Sequence, residues 1–220
     1  MKKKEIAKYI DHTVLKAETS LNDIEKLCSE AIEYGFASVM VNPCNVAAAA
    51  KATAGSSVKV GTVIGFPLGA NTTATKVFEA EDALKNGANE VDMVINIGRF
   101  KEKKYEYVQE DIAAVARAMK GKALLKVIVE TGFLDDSEVT KACEIVRDAG
   151  ADFIKTSTGF SQGGATVHNI KLMKSVLGDS LGIKASGGVR NYEQAVALIE
   201  AGATRIGASA GIAILQEAEE

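Results

Sequence analysis

The 220-residue sequence has no stretch approaching the ~18 consecutive apolar residues of a bilayer span, so no transmembrane helix is expected. The opening MKKKEIAKYI is basic, but no apolar run follows it, so it does not read as a secretory signal. Cysteine is scarce. Cys28, Cys44 and Cys143 are odd in number and scattered, which gives neither a metal-ligand spacing nor a disulfide framework. A reducing cytoplasm is the expected location. Cys28 and Cys143 fall inside helical patterns and read as small buried hydrophobes. Only two prolines occur, which suits long helices. Neither sign of charge dominates: the net charge is −3. That argues against nucleic acid or an anionic membrane as a main partner, and leaves room for a small anionic ligand at a local site. No Gly-rich dinucleotide fingerprint follows the first strand pattern.

Glycine, in contrast, is plentiful at 20 residues, and its placement repeats. Gly35-Phe36-Ala37-Ser38, Gly87-Ala88-Asn89-Glu90, Gly150-Ala151-Asp152 and Gly202-Ala203-Thr204 each follow an amphipathic helical pattern and lead into a short apolar run. Two such patterns are Ser137 to Ala149 and Tyr192 to Ala201. A glycine that closes a helix in the left-handed conformation, a short polar link and a brief strand make the second half of a βαβ unit. Further strands are expected at Ala7 to Asp11, Lys59 to Ile64, Leu124 to Val129 and Gly182 to Ala185. Eight βα units with no linker between them predict one domain over residues 1–220, an α/β fold of the (β/α)8 TIM-barrel type. An open doubly wound sheet is the alternative.

Such barrels carry chemistry at the C-terminal ends of their strands. Asp92, Lys126, Lys155 and Lys184 are charged residues in otherwise aliphatic strands. Alternation puts Val91, Met93 and Ile95 on one face, and Asp92, Val94 and Asn96 on the face toward the barrel interior. A buried carboxylate needs a partner, so Asp92 reads either as half of a structural ion pair or as a catalytic group. Lys155 and Lys184 each end a strand next to a polar loop. Neighbouring strands lie about 4.8 Å apart, so the two amines can converge. Burial and mutual repulsion both lower a lysine pKa, and a neutral amine attacks carbonyls. Lys126 either adds positive charge or pairs with Asp92. Position alone does not choose between Lys155 and Lys184 as nucleophile.

Two consecutive loops read either as tight turns or as a phosphate cradle: Ser186-Gly187-Gly188-Val189-Arg190, and Gly207-Ala208-Ser209-Ala210-Gly211 opening the last helix. Backbone N–H groups at a helix start favour an anion, with Ser209 adding a hydroxyl and Arg190 a charge. Thr156-Ser157-Thr158-Gly159 adds hydroxyls from the preceding loop. His12 and His168 have no metal-like spacing, and Lys101 to Lys104 reads as a solvated helix start.

Taken together, Asp11-His12-Thr13, Val41-Asn42-Pro43, Gly65-Phe66-Pro67, Ala74-Thr75-Lys76, Glu90 to Val94, Leu125 to Ile128, Phe153 to Gly159 and Ser186 to Arg190 resemble the deoxyribose-phosphate aldolase family over nearly the whole chain. The resemblance implies a class I, Schiff-base aldolase. Its reaction reversibly cleaves 2-deoxy-D-ribose 5-phosphate to D-glyceraldehyde 3-phosphate and acetaldehyde, in deoxynucleoside breakdown, with neither metal nor cofactor. It implies Lys155 as the Schiff-base lysine, Lys184 as the neighbour that lowers its pKa and shuttles protons, and Asp92 as proton donor and acceptor through water. Thr158, Gly159, Gly187, Gly188, Arg190, Gly207 and Ser209 are then expected to bind substrate and phosphate, with Asp11, Thr13 and Lys126 in support. The expected partners are small phosphorylated sugars and aldehydes, and a homo-oligomer, a dimer, is expected. Three residues depart from other members. Phe160 stands where some carry a lysine near the phosphate, and Met40 where many carry a thiol open to aldehyde trapping. The end, Gln216 to Glu220, lacks the tyrosine some use in proton transfer. A phosphosugar isomerase or synthase with Asp92 as base, and a non-catalytic phosphosugar-binding barrel, are the competing readings. The metal-free expectation has a direct check: activity should be unchanged in chelator, and a loss restored by a divalent ion would overturn it.

Overall fold

Eight short runs rich in Val, Ile and Leu form parallel strands: β1 (Ile10–Val14), β2 (Ser38–Val41), β3 (Lys59–Ile64), β4 (Glu90–Val94), β5 (Leu124–Ile128), β6 (Phe153–Lys155), β7 (Gly182–Ser186) and β8 (Arg205–Ala208). In the computed structural model, which describes residues 1–219, the strands pair in sequence order and β1 closes on β8. The fold is therefore a closed (β/α)8 barrel, and the open doubly wound alternative falls. Glu220, the last residue of the tyrosine-free terminal segment, lies outside the described residues.

Among the described residues, ten α-helices surround the barrel: α1 (Lys3–Ala7), α2 (Leu21–Tyr34), α3 (Val46–Ala52), α4 (Thr73–Lys85), α5 (Ile97–Lys101), α6 (Tyr105–Met119), α7 (Asp136–Asp148), α8 (Val167–Leu177), α9 (Tyr192–Glu200) and α10 (Gly211–Gln216). Their starts follow from side chains that accept otherwise orphaned backbone N–H groups: Ser20, Thr72, Asp135, Thr166 and Asn191 each accept an amide three residues on. Gly35 closes α2 in the left-handed region at φ 69°, where a Cβ would be costly.

The layers follow from alternation. Val39, Val41, Val60, Ile64, Val91, Met93 and Val127 face the helices as one apolar layer. A small inner cluster, Leu15, Met40 and Val63, faces the barrel axis. Two interior glycines make room for bulk. A Cβ on Gly61 would overlap the Met40 thioether, and one on Gly182 would overlap the Phe153 ring.

Some boundaries differ from expectation. The first strand begins at Ile10, because Ala7 ends α1. The Glu5 carboxylate accepts the Lys2 amide at 3.1 Å, which folds the first residues into a helical turn. Ile95 and Asn96 leave β4; the Asn96 side chain instead caps α5 by accepting the Arg99 amide at 3.1 Å. Lys101 ends α5 rather than starting a helix, and its ammonium donates to Glu138 at 2.7 Å.

The loop between β6 and α8 is held by backbone lying on backbone. A Cβ on Gly132 would strike the Gln162 carbonyl, and one on Gly164 would strike the Gly187 carbonyl. The Ala165 amide donates to that same Gly187 oxygen at 3.0 Å. This loop is thus fitted between the loops that follow β5 and β7.

One buried ion pair ties α4 to α6. The Lys76 ammonium donates to Asp111 at 2.6 Å and to the Val94 carbonyl, at the end of β4, at 3.0 Å. Both side chains are essentially inaccessible. Asp111→Ala leaves that ammonium buried and unpaired, so it should cost about 3–5 kcal/mol in urea denaturation. The double substitution Lys76→Met, Asp111→Leu should recover most of the loss.

Candidate active site

Strand register decides which side chains meet inside the barrel. Asp92 pairs with Lys126 across β4 and β5, and Lys155 pairs with Lys184 across β6 and β7. All four point inward and are buried. They converge on one carboxylate. Asp92 Oδ1 accepts from Lys126 at 3.0 Å, while Oδ2 accepts from both Lys155 and Lys184 at 2.8 Å each. Lys126 also donates to Glu90 at 2.5 Å, and Lys184 lies 2.5 Å from Asp11. Arg205, from β8, completes the set by donating to Asp11 at 2.6 Å and to both Glu90 oxygens at 3.2–3.3 Å.

Burial is the largest influence on Lys155 and, with the Lys184 charge, outweighs Asp92; its pKa is lowered to about 8. About a tenth of such an amine is neutral at pH 7, against roughly one part in a few thousand for an ordinary lysine. Burial would push the Asp92 carboxyl up, but Lys126, Lys155 and Lys184 together hold it well below the usual range. Lys126 is held protonated: burial opposes its charge, and Asp92, Asp11 and Glu90 outweigh burial. The residues expected to form an ion pair and those expected to act on a carbonyl therefore meet in one cluster.

Hydroxyls fix the strand ends that carry the two lysines. Thr156 Oγ1 donates to the Ser186 carbonyl at 2.9 Å and accepts the Ser186 amide at 3.0 Å. Ser186 Oγ donates to the Ser157 carbonyl at 2.7 Å. Thr156 Oγ1 is thus spent on linking β6 to β7, while the buried Ser157 hydroxyl makes no hydrogen bond among the described residues and only its carbonyl serves the link. Both residues are absent from the cavity lining, where Thr158 and Gly159 are present.

That cavity, of about 440 Å³, opens above Lys155 at the C-terminal end of the barrel, a volume suited to a small ligand. Thr13, Thr158, Gly159, Gly187, Gly188, Arg190, Gly207 and Ser209 all line it, beside Lys16 and Phe160. Gly188 and Gly159 have φ of 80° and 86° with open space where a Cβ would project, so their backbone is bare toward the cavity. Gly207 has a different task. It lies in β8, and a Cβ there would come within 3.0 Å of the Lys184 Cε. The last helix begins only at Gly211, so Ser209 precedes it in the loop. Phe160 is 56% exposed and meets Phe66 edge to face, with centroids 5.3 Å apart. Met40 is buried in the inner cluster. Burial pushes the Cys28 and Cys143 thiols up to about 11 and 12, while Cys44 is exposed after β2.

Besides Lys16 at the cavity wall, three charged residues were missing from the sequence reading. Glu90 lies two residues before Asp92, and Arg205 two before Gly207, so alternation alone puts both inside. Glu130, buried two residues beyond β5, has a positive φ of 54°, and its carboxylate accepts the Thr158 amide at 3.1 Å. Nothing in its sequence context signals that turn. His12 lies within β1, and its Nε2 meets Glu30 at 2.7 Å; His168 lies on α8 against Asp136. Among the described residues, no group of three or more His, Cys, Asp or Glu is placed to hold a metal ion. No helix among them is long and apolar enough to cross a membrane.

The comparisons with known proteins agree with this geometry. The sequence model described as DeoC/LacD family aldolase matches residues 5–217. The deoxyribose-phosphate aldolase of Clostridium perfringens is 62% identical over 98% of this chain and 96% of its own. The one from Enterococcus faecalis is 59% identical over 97% of each. Among solved structures, the tetrameric deoxyribose phosphate aldolase of Aeropyrum pernix superposes with a TM-score of 0.90 at 32% identity, covering 97% of this chain and 90% of that one. An eight-stranded barrel whose lysines meet on a buried aspartate, matched over nearly its full length at this identity, belongs to the DeoC/LacD aldolase family.

Proposed function

We propose that the chain is a class I aldolase that reversibly cleaves 2-deoxy-D-ribose 5-phosphate to D-glyceraldehyde 3-phosphate and acetaldehyde, with Lys155 as the Schiff-base lysine. The observation that carries this reading is the Lys155 amine. It alone of the three converging lysines lines the cavity, and its pKa is lowered to about 8. Lys126 and Lys184 lie beneath it, 0% exposed. The isomerase or synthase reading needs no such amine.

The neutral amine adds to the C1 aldehyde of the open-chain sugar, and loss of water gives an iminium. The iminium draws the C2–C3 bonding pair toward nitrogen. The C3 hydroxyl loses its proton as that carbon becomes the aldehyde of glyceraldehyde 3-phosphate. The enamine left on Lys155 takes a proton at C2, and water then hydrolyses the iminium to acetaldehyde and free lysine. One water leaves and one returns, and the hydroxyl proton is matched by the proton at C2. Asp92, ionised and touching both Lys155 and Lys184, suits the accepting role through an intervening water. Lys184, with Asp92 and Asp11 as partners, suits the donating role. The phosphate belongs on the bare backbone of Gly188 and Gly159, with Ser209 and Arg190 at the rim. Phe160 gives that rim an apolar wall where a lysine would add charge. Action in the cytoplasm on deoxynucleoside breakdown products, by a homo-oligomer with the dimer as its expected unit, is part of the same reading; the Aeropyrum pernix relative is tetrameric.

Incubation with acetaldehyde followed by borohydride should leave a stable ethyl adduct on the peptide carrying Lys155, seen by mass spectrometry. No adduct anywhere would sink the Schiff-base reading. Lys155→Ala should abolish adduct and cleavage together. The trapping rate should rise with pH through about 8, the pKa of Lys155, and level off above it, because only the neutral amine adds.

A further inference from the structure

The reactive lysine is one member of a closed set of charges. Asp11, Glu90 and Asp92 supply three carboxylates, while Lys126, Lys184, Arg205 and Lys155 supply four cations, all joined by ion pairs of 4 Å or less. With Lys155 neutral, three cations meet three anions. With Lys155 protonated, the interior carries one uncompensated positive charge, in a place where water does not screen it. Arg205 and Glu90 are the first residues of β8 and β4, and neither lines the cavity. Arg205 is anchored through Asp11 and Glu90, with its guanidinium 5.7 Å above the Phe153 ring. Glu90 in turn holds Lys126, and both of their partners connect to Asp92 and Lys184.

We propose that Arg205 and Glu90 are positioning residues for the reaction, which act through Asp11, Lys126 and Asp92 to set how readily Lys155 gives up its proton. The inference rests on Lys155 as the nucleophile. The same balance acts later in the cycle. The iminium restores the extra positive charge and the enamine removes it, so a neutral interior favours carbon–carbon cleavage over reversal to the imine.

The charged surroundings of Lys155 are accounted for element by element. β1 presents Asp11, β4 Glu90 and Asp92, β5 Lys126, β7 Lys184 and β8 Arg205. β2 and β3 present Ser38, Met40 and Val63, which are uncharged. Beyond β5, Glu130 is bonded to the Thr158 amide, and Lys16 and Arg190 stand at the cavity wall.

The signs differ for the two residues. Arg205→Met removes a cation, while Lys126 and Lys184 still hold both carboxylates, so the Lys155 ammonium becomes easier to keep. Glu90→Gln removes an anion at almost constant shape, so the ammonium becomes harder to keep. In acetaldehyde–borohydride trapping followed against pH, the midpoint should move up by about one pH unit in Arg205→Met and down by about one in Glu90→Gln, a tenfold change in neutral amine each way. Arg205→Lys should stay near the unsubstituted midpoint. A purely structural role would slow both variants without opposite shifts. Midpoints that stay put, or move in the same direction, in variants with native circular dichroism overturn the inference. Where Arg205→Met does not fold, an unmoved midpoint in Glu90→Gln overturns it alone. An unsubstituted protein that gives no adduct on Lys155 overturns the nucleophile instead.

Discussion

Three lysines share one aspartate, and the rest of the interior is arranged around that fact. Taking a single ion out of water costs several kcal/mol even after relaxation. Seven charged side chains inside one barrel therefore persist only as a connected set. Asp92 is the hub because its two oxygens face three strands at once. Lys126 and Lys184 each have a second carboxylate, Glu90 and Asp11 respectively. Lys155 has only Asp92 among the carboxylates of the set. The member with the fewest anions is the one at the cavity, and it is the one whose proton is loosely held.

Above this charged floor, recognition rests on a different kind of structure. The cavity rim is backbone: the turns at Gly159 and Gly188, and the loop at Ser209. Backbone groups are fixed by the strands they leave, which the Thr156–Ser186 hydrogen bonds clamp together. The Lys155 amine and the two bare turns at Gly159 and Gly188 are thus referenced to the same two strands, β6 and β7, while Ser209 follows β8. That common origin gives a short, rigid lever between them, the condition for holding a reactant close to its attack geometry.

Much of this was legible in the sequence. The barrel follows from a glycine stop, a short link and a strand repeated along the chain, because both the helix end and the two-residue alternation are local physics. The inward placement of Asp92 followed from the same alternation, and pairing with Lys126 was one of the two readings left open for that lysine. Other parts depend on register between distant strands, which local pattern does not carry. That Asp11 reaches Lys184, or that Arg205 reaches Glu90, is decided by how β8 closes on β1 and leans across the barrel. Gly207 illustrates the limit. Its place in a glycine-containing segment read as opening the last helix suggested a ligand-binding turn, whereas it lies within β8 and its lack of a side chain is also needed by the neighbouring Lys184. The Glu130 turn was unreadable, since a left-handed non-glycine residue is imposed by its surroundings rather than announced by its neighbours.

The interlocking of Gly132 with Gln162, and of Gly164 with Gly187, makes three loops a single mechanical unit. Loops on barrels of this kind are commonly treated as interchangeable modules, each free to vary on a constant scaffold. Here the middle loop is braced by a neighbour's backbone on each side, at Gly132 and at Gly187. Its insertions, deletions and side chains are constrained by backbone belonging to its neighbours. A new rim imported from a relative would have to arrive as the whole triplet, residues 129–135, 156–166 and 187–191, and the history of this site is expected to show those segments changing together.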